Sequence, residues 1–410
     1  MTKNNIPKGY KTSMVGVIPE KWEVKRLGTI AKCFSGGTPK SESENMYGGT
    51  IPFIRSGEIH NNLTTLFLTE EGLNKSSAKM VNIGDLIFAL YGANSGNCAI
   101  SQINGAINQA ILCIRSNKVI NPFLQPYLEL KKNYFISKYL QGGQGNLSGE
   151  IVNSYTIPVP PIEEQKKIAK ILSVWDKAIE KQSKLIEKLE LRKRGIMQRL
   201  LTGRTRLPGF TTPWQKVKLG EICKRVIRRN SENNTNVMTI SAQQGFVSQT
   251  DFFNKSIASE TLDNYYLIQR DEFCYNKSYS NGYPMGAIKR LKEIEKAVVT
   301  TLYICFSIIN EQKLNIDFFE QFCENGGLNQ RLMKVANEGG RAHGLLNVTS
   351  SDFFNLSFKL PDIKEQKAIA NILIAIDEEI NIQRKKIETL RSQKRGLMQQ
   401  LLTGKTRVKI

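Results

Sequence analysis

The chain has 410 residues, of which 40% are hydrophobic and 23% charged, a composition that is ordinary for a globular protein of two or three domains. Polar first residues and the lack of a long apolar run predict a cytoplasmic protein without a signal peptide or a membrane span. Seven scattered cysteines without a C-x-x-C pair predict reduced thiols, mostly in cores, and two histidines make a structural zinc site a poor candidate. The formal charge of +21 predicts a polyanionic partner, with nucleic acid ahead of an anionic membrane.

A block of mixed strands and helices is predicted for residues 21–159, after a polar lead at residues 1–20. Short apolar runs alternate there with glycine turns, a pattern typical of strands joined by tight loops. The runs predict strands at 51–54, 84–90, 98–103, 107–114 and 155–159, and a helix near 122–140. The block ends in a glycine-rich polar loop, a composition that suits a solvent loop and also a base-reading loop.

A long helix is predicted for residues 160–208. Apolar residues recur there at alternating steps of four and three without an internal proline, a repeat typical of a helix buried against another in a left-handed coiled coil. From Ile168 to Leu200 the helix would be about 50 Å long at about 1.5 Å per residue. The Leu-Leu-Thr-Gly sequence that ends at Gly203 is typical of a helix stop.

The whole module then occurs a second time, as a block at residues 209–360 and a long helix at residues 361–410. Of the 47 residues from Pro160 to Arg206, 27 are identical to the residues 201 positions later. The entry segments also correspond, since Trp22 aligns with Trp214 at an offset of 192.

The second block again mixes strand-like runs with a helix near 316–334 and ends in a glycine-rich loop, but its sequence is otherwise unlike that of the first block. Like helices joined to unlike blocks indicate a constant frame that carries two variable readers. The predicted fold class is therefore α+β, with two globular blocks, two long helices and an internal pseudo-two-fold repeat.

The two long helices are predicted to pair along one seam. The pairing residues of the two copies are Ile168, Leu172, Trp175, Ile179, Gln182, Ile186, Leu189, Ile369, Leu373, Ile376, Ile380, Gln383, Ile387 and Leu390. If the helices are antiparallel, Gln182 and Gln383 lie opposite each other, and a buried polar pair fixes the register at some cost in stability. The seam lysines, Lys193 and Lys394, are interpreted as frayed-end residues that reach water.

Three further features of the helices recur or nearly recur. Asp362 is predicted to cap the second helix, with Glu365 completing a capping box, and Gly404 to end it. Gly195 and Gly396 lie where glycine costs about 1 kcal/mol relative to alanine, which indicates a bend or a close backbone approach, with a docked partner helix as a hypothesis. The two helical segments carry +12 of the +21 charge, which suits either the DNA backbone or an acidic partner.

Signatures of the expected nucleic-acid enzymes are missing from the sequence. The N-P-P-Y or D-P-P-Y loop of an amino-group methyltransferase does not occur, since the one Pro-Pro pair, Pro160-Pro161, follows a valine. A nucleotide-binding P-loop ending at Thr406 would need glycine at position 399, which is Gln399. Glu58, Asp85, Asp271 and Glu272 form no convincing nuclease cluster. Together these absences favour a non-enzymatic chain.

The chain resembles the specificity subunit of a type I restriction-modification system over essentially its whole length. The repeated P-[PD]-I-x-E-Q-K-x-I-A-x-I-L and K-R-G-[IL]-M-Q-x-L-L-T-G segments resemble the two conserved regions of that family. The segments at 36–40, 51–59, 108–111 and 275–291 are similar to parts of its target-recognition domains.

The resemblance implies a non-catalytic subunit in host defence. Each recognition domain would bind one half of a split double-stranded DNA target in the major groove, and antiparallel long helices would set the distance between the halves. The helices would also hold two methyltransferase subunits, which methylate adenine, and motor-nuclease subunits would join for restriction. No cofactor or metal is expected on this chain, whereas S-adenosylmethionine, ATP and Mg²⁺ are expected on the partner subunits.

Candidate DNA contacts follow from the side chains that read bases and phosphates. Arginine and lysine read guanine, asparagine and glutamine read adenine, and phosphates take basic and hydroxyl groups. The candidates are Thr38, Lys40, Arg55, Tyr91, Asn94, Ser95, Gln144 and Asn146 in the first block, and Gln243, Gln244, Asn276, Lys277, Ser278, Tyr279, Arg290, Arg341 and His343 in the second. For each one the alternative is a turn or fold-stabilising role. Asn108 and Gln109 are interpreted as structural.

Two other function classes remain open on the sequence. A stand-alone DNA-binding or architectural protein would need no enzymatic partner. An enzyme fused into one chain would itself bind S-adenosylmethionine or ATP.

Overall fold

The chain forms two compact units in the computed structural model, which describes residues 6–40, 44–139, 146–249, 262–338 and 346–409. Unit 1 consists of residues Met1–Ser183 and Lys385–Ile410, and unit 2 of residues Lys184–Arg384. Each long helix therefore contributes one half to each unit.

Helices range from single turns to two long helices of equal length. They are α1 (Leu27–Ile30), α2 (Glu70–Asn74), α3 (Asn121–Tyr139), α4 (Gly149–Asn153), α5 (Ile162–Leu200), α6 (Leu219–Ile222), α7 (Ile316–Glu324), α8 (Asn329–Val335), α9 (Ser350–Phe354) and α10 (Ile363–Leu401). The long helices α5 and α10 each have 39 residues.

Strands are short throughout. In unit 1 they are β1 (Tyr10–Ser13), β2 (Gly16–Pro19), β3 (Glu23–Arg26), β4 (Ala31–Ser35), β5 (Tyr47–Ile54), β6 (Leu66–Leu68), β7 (Lys79–Val81), β8 (Leu86–Ala89), β9 (Cys98–Ile100), β10 (Gly105–Ile107), β11 (Ile111–Ser116) and β12 (Thr156–Val159). In unit 2 they are β13 (Gln215–Lys218), β14 (Cys223–Arg225), β15 (Met238–Ser241), β16 (Gly245–Ser248), β17 (Tyr266–Gln269), β18 (Phe273–Asn276), β19 (Ala287–Arg290), β20 (Lys296–Val299), β21 (Ile304–Ile308), β22 (Asn337–Glu338), β23 (Leu346–Asn347) and β24 (Ser357–Leu360).

The central sheets of the two units have the same topology although their sequences differ. In unit 1 the order is β4-β11-β8-β9, and in unit 2 it is β14-β21-β18-β19, with every neighbouring pair antiparallel. Each unit also has a two-stranded pair that joins the entry segment to the strand before the long helix, β3 with β12 and β13 with β24. The repeat seen in the helices thus extends through the globular blocks at the level of the backbone.

Both faces of each central sheet are buried. In unit 1, Leu86 and Phe88 of β8 face α3 and the long helices, whereas Ile87 and Ala89 face the second sheet, β6-β5-β10-β7. Burial on both faces explains why β8 reads as a continuous apolar run rather than an alternating one. All seven cysteines are free and six of them are buried, as the scattered spacing predicted.

The predicted seam of the long helices is buried within each unit. In unit 1, Ile168 and Leu172 share a core with Met398 and Leu401, and in unit 2, Leu189 packs with Ile376 and Ile380. None of the fourteen predicted pairing residues, all of which lie in described segments, is fully exposed. Within each unit one helix half therefore runs antiparallel to the other.

The interpretation of the seam lysines as frayed ends is wrong. Helix α5 continues to Leu200, and in unit 2 Lys193 donates to Asp377 at 2.7 Å, with 18% of its side chain exposed. In unit 1, Lys394 donates in the same way to Asp176. The two lysines are seam residues that find carboxylates of the opposite helix, because a charge in a half-buried seam needs a partner. Gln182 is buried and Gln383 half-buried, and their role in register stays a prediction.

The predicted helix ends are correct except for the capping box. Gly203 and Gly404 follow the two helices with φ of +70° and +73°, the left-handed conformation that favours glycine. Asp362 accepts the backbone N–H of Glu365 at 3.0 Å, as a cap does. The Glu365 carboxylate, however, bonds to Arg206 and Trp214 instead of returning to the cap.

Local predictions of secondary structure hold for the central elements. Strands β5, β8, β9, β11 and β12 and helix α3 lie where the apolar runs placed them. The helix predicted near 316–334 is divided into α7 and α8 because Gly326 takes a φ of +70° and interrupts it. Gly195 and Gly396 are exposed, and a Cβ on either would meet nothing within 4 Å, so neither marks a close approach within the described chain.

Candidate nucleic-acid interface

Three predicted DNA contacts of unit 1 lie on two neighbouring loops, where Arg55 and Tyr91 are exposed and Asn94 is half-buried. Arg55 follows β5 directly, and the turn that contains Tyr91 and Asn94 follows β8. The loops are close, since a Cβ on Gly57 would lie 3.8 Å from Asn94 Nδ2. Thr38 and Lys40 are also exposed after β4, and Asn146 is exposed before α4.

Arg55 is exposed yet held in a defined orientation. Its Nη2 donates to Thr65 Oγ1 at 2.7 Å, and its Nε lies 3.3 Å from Glu58 Oε2. Burial opposes ionisation of Glu58, but hydrogen bonds from Arg55 and Thr65 outweigh it and lower the pKa of Glu58. A guanidinium fixed by a carboxylate and a hydroxyl loses less freedom on binding, which suits a base contact.

Other unit 1 candidates besides Arg55 also have internal partners. Ser95 is buried and donates to the Leu90 carbonyl at 3.0 Å, which favours the turn role over its predicted DNA contact. Thr38 donates to Gln109 Oε1 at 2.5 Å. Asn108 accepts the Ala110 N–H at 3.1 Å, which agrees with the structural role interpreted for it.

The unit 2 candidates cluster where β15 and β18 end. Gln243 and Gln244 are exposed in the turn after β15, and the Gln243 amide donates to the Asn281 carbonyl of the loop after β18 at 3.1 Å. That second loop carries Tyr279, which is 63% exposed. Asn276 and Ser278 are half-buried, and Asn276 Oδ1 accepts the Ser278 N–H at 3.0 Å, which shapes the loop.

Lys277 is a half-buried cation beside another cation. Burial lowers the pKa of Lys277, and the charge of Arg225 lowers it further. Two cations on one surface repel each other unless an anion lies between them. The pair therefore suits a phosphate contact.

Arg290 is not available to DNA in this structure. Its side chain is 12% exposed and lies against three carboxylates, Asp271 at 2.6 Å, Asp317 at 2.7 Å and Glu320 at 3.3 Å. The guanidinium is neutralised where it joins β19 to α7, which favours the fold-stabilising alternative for Arg290 over its predicted DNA contact. Three other candidates, Gln144, Arg341 and His343, lie outside the described residues.

The sequence did not predict the role of four buried polar residues at the starts of the two long helices. Glu164 and Gln165 in unit 1, and Glu365 and Gln366 in unit 2, are among the most buried polar residues of the structure. The Glu-Gln pair is the same in the two copies of the repeat. Identical polar residues at positions off the seam were the signal that could have indicated this role.

Each buried glutamate accepts from a tryptophan and an arginine. In unit 1, Glu164 bonds to Trp22 Nε1 at 3.0 Å and to both nitrogens of a fork on Arg407. In unit 2, Glu365 bonds to Trp214 Nε1 at 3.2 Å and to the fork of Arg206 at 2.7 Å. We call these two sets the unit 1 anchor and the unit 2 anchor. Each joins an entry tryptophan, the start of one long helix and the tail of the other.

The neighbouring glutamines tie the same helix starts to the globular blocks. Gln165 accepts the Ile120 N–H at 2.9 Å and donates to the Lys118 carbonyl at 3.0 Å. Gln366 makes the equivalent bonds in unit 2, because it accepts the Asn315 N–H at 2.9 Å and donates to the Lys313 carbonyl at 2.8 Å. Fully bonded buried amides of this kind fix one arrangement, because any other would leave polar groups unpaired.

The described part of the chain contains no group of three or more histidine, cysteine, aspartate or glutamate residues arranged to hold a metal ion. Within the same residues, no helix is long and apolar enough to cross a membrane.

The family model described as the type I restriction modification DNA specificity domain matches residues 19–191 and again residues 211–392. The two matches cover most of the sequence. The chain belongs to this family. Membership makes it a DNA-specificity component of a type I restriction-modification system and not one of the catalytic subunits, and it confirms the resemblance drawn from the repeated segments.

Similar proteins extend over the full length of the chain. The type I restriction enzyme MjaVIII specificity subunit of Methanocaldococcus jannaschii is 24% identical, over 96% of this chain and 94% of that protein. The putative MjaX specificity subunit of the same organism is 27% identical, over 98% of this chain and 97% of that protein.

Solved structures share the fold. The crystal structure of a type I restriction-modification system S subunit from M. genitalium matches with a TM-score of 0.53 and 15% identity, covering 98% of both chains. A chain from a structure of type I restriction-modification complex assembly and conformational transition matches with a TM-score of 0.57 and 16% identity, over 95% of this chain and 99% of that one. The α+β architecture with two related units is thus that of the family.

Proposed function

We propose that the two units read the two halves of a bipartite DNA target and that the long helices hold partner subunits. The observation that carries this proposal is the shared central sheet, which presents unlike polar loops at corresponding strand ends. In unit 1 the turn after β8 carries Tyr91 and Asn94, and in unit 2 the loop after β18 carries Lys277 and Tyr279. One framework with two different sets of polar loop side chains suits a target with two different halves.

Two methyltransferase subunits would bind the long helices. The repeat supports this, because equivalent exposed surfaces occur on both helices, including Gly195 and Gly396, where a partner backbone meets no side chain. Motor-nuclease subunits would join the same assembly. S-adenosylmethionine, ATP and Mg²⁺ would be held by these partners, and the assembly would act on DNA in the cytoplasm.

The decisive experiment is co-expression of this chain with a methyltransferase partner, followed by sequencing of modified adenines. We expect one bipartite motif with a fixed spacer. A double variant, Gln243→Ala with Tyr279→Ala, should relax the half of the motif that unit 2 reads and leave the other half unchanged. Tyr91→Ala is the matched change in unit 1 and should affect the other half. Loss of both halves together would contradict separate reading by the two units.

Partner docking has its own test. Gly195→Leu should weaken co-purification with the methyltransferase while the purified chain keeps its affinity for DNA. Val174→Ala, an exposed residue on the same helix, serves as the control. A stable chain that binds DNA specifically but never co-purifies with a methyltransferase would favour a stand-alone DNA-binding protein.

A further inference from the structure

A polar pocket of about 580 Å³ opens on unit 2 beside the end of α5. It lies between the α5 end, the turn that joins α7 to α8, and strand β24. Arg204, Arg331 and Lys359 all line it, and none of the described residues that line it is acidic. The volume is in the range of small-molecule sites, whereas the excess of positive charge is not typical of an ordinary surface cleft.

A fourth cation stands next to the pocket. Lys216 of β13 is directly opposite Lys359 of β24 in the antiparallel pair, so the two side chains project from the same face. Like charges that face each other in this way destabilise a strand pair. In unit 1 the corresponding positions are Val24 and Pro158, which also lie directly opposite each other and carry no charge. The cation pair is therefore a property of unit 2 and not of the repeated framework.

Arg331 is held in place without being neutralised. Its Nη1 donates to the Gly327 carbonyl at 2.9 Å and its Nε to the Ser357 carbonyl at 2.5 Å. Carbonyl oxygens orient a guanidinium without neutralising its positive charge. The Nη2 group of Arg331 can still donate hydrogen bonds to a ligand. Among the residues that the structure describes, no ion pair includes Arg331, Arg204, Lys359 or Lys216.

The carboxylate to which the pocket residue Trp214 donates is already paired with an arginine. Trp214 lines the pocket and donates to Glu365, which is fully buried and bonded to the fork of Arg206. The unit 2 anchor thus pairs Glu365 with Arg206, and among the described residues no carboxylate pairs with the three cations that line the pocket or with the adjacent Lys216. The side-chain amides of Gln198 and Gln330 add further hydrogen-bond donors to the lining, whereas the Thr202 hydroxyl already donates to the Gln198 carbonyl.

We propose that this pocket binds a phosphate group, either of a free nucleotide or of the DNA backbone. Guanidinium forks and lysine ammonium groups on one concave surface match the tetrahedral oxygens of a phosphate, and an anion between Lys216 and Lys359 removes their repulsion. Because unit 1 lacks the cation pair, the ligand binds once per chain. This separates the site from the partner docking proposed above, which uses surfaces present in both copies.

The test uses the full chain with inorganic tripolyphosphate and ATP as probes, by titration calorimetry at constant ionic strength. We expect binding at one site per chain. The double variant Lys216→Gln with Lys359→Gln should weaken it at least about tenfold, since each charge-assisted hydrogen bond is worth that much or more. The control is Lys25→Gln with Arg26→Gln, which removes two exposed charges from the corresponding strand of unit 1 and should leave the affinity unchanged.

The two sources are separated by measuring affinity for a non-specific duplex against salt concentration. If the phosphate belongs to DNA, tripolyphosphate should compete with the duplex. The double variant at Lys216 and Lys359 should then reduce the slope of log affinity against log salt concentration by the contribution of about two phosphate contacts. If the ligand is a free nucleotide, the slope stays unchanged while ATP binding falls. No binding of either probe above that of chloride, or equal losses in variant and control, would overturn the proposal. The DNA arm depends on the proposed function, whereas the nucleotide arm does not.

Discussion

Arg407 and Glu164 lie 243 positions apart in the chain and form a two-pronged ion pair, with Nη2 to Oε2 at 2.9 Å and Nε to Oε1 at 3.1 Å. The Glu164 side chain is fully buried, whereas Arg407 is 34% exposed. A buried carboxylate that loses its partner retains the cost of its burial. We therefore expect Arg407→Ala to destabilise unit 1 by about 2–4 kcal/mol, after allowance for solvent screening.

Hydrogen exchange in peptides covering residues 160–175 measures this effect, because the two units need not unfold together. Arg206→Ala removes the same interaction from the unit 2 anchor and is the matched control. It should accelerate exchange near residue 365 and leave the unit 1 peptides unchanged. Equal acceleration in both units from either variant would contradict local anchoring.

The Lys193–Asp377 pair of unit 2 should respond to charge exchange. Lys193→Met leaves Asp377 with Gln321 as its remaining donor, at 2.9 Å, and we expect a loss of about 1 kcal/mol. Lys193→Asp combined with Asp377→Lys should recover part of the stability that Lys193→Asp alone removes. Urea unfolding of the unchanged chain, Lys193→Asp, Asp377→Lys and the double variant gives the coupling energy. A coupling energy near zero would mean that Lys193 stabilises the seam through packing of its aliphatic carbons and not through its charge.

Arg290→Gln should affect folding and not DNA specificity. The change removes one positive charge from among Asp271, Asp317 and Glu320, which then repel each other, and we expect unit 2 to lose about 1–3 kcal/mol. The methylated motif should remain the same at a temperature where the variant is folded. Thermal unfolding and methylation sequencing check the two parts. Degeneracy at one base position with unchanged stability would restore Arg290 as a base reader.

Acid stability of unit 1 should depend on Asp85. Burial opposes its ionisation, but the Arg115 fork and the Asn82 N–H outweigh burial and lower the pKa of Asp85. A lowered folded-state pKa contributes stability that is present above the unfolded value of about 3.9 and is lost as the pH falls through the folded value. Asp85→Asn should therefore flatten the stability profile of unit 1 below about pH 4. A profile identical to that of the unchanged chain would count against this linkage.

Lys277→Gln should weaken binding to all DNA sequences alike. A phosphate contact contributes about 0.9 to the slope of log affinity against log salt, and we expect the slope to fall by that amount. Anisotropy titrations with specific and non-specific duplexes at several salt concentrations measure it. An unchanged slope, with tolerance of another base at one position, would instead make Lys277 a base reader.

The helix pair was predictable and the loop chemistry was not, for physical reasons. A seven-residue repeat places every third or fourth side chain on one face of a helix, so the burial of Leu172 and Leu189 could be predicted from the sequence alone. Ser95 and Arg290 are polar residues near turns, and the partner of such a side chain is set by the tertiary structure. Ser95 donates to the Leu90 carbonyl, and Arg290 pairs with three carboxylates that are distant in the sequence. The anchors fall between these cases. Glu164 looks like an ordinary residue of a first helical turn, and only a tail 243 positions away makes it a buried acceptor.

The division of the long helices between the units has a consequence for synthesis on the ribosome. Unit 2 is a continuous stretch, whereas unit 1 needs residues 385–410 to complete its core around Ile168 and Leu172. About 200 residues must be translated between those two parts, which takes about 10–40 s at typical rates. During that interval unit 2 can fold, whereas the apolar residues Ile168 and Leu172 in the unit 1 half of α5 lack the residues of α10 that cover them in the folded chain. We expect nascent chains stalled before residue 385 to recruit chaperones that released chains no longer bind.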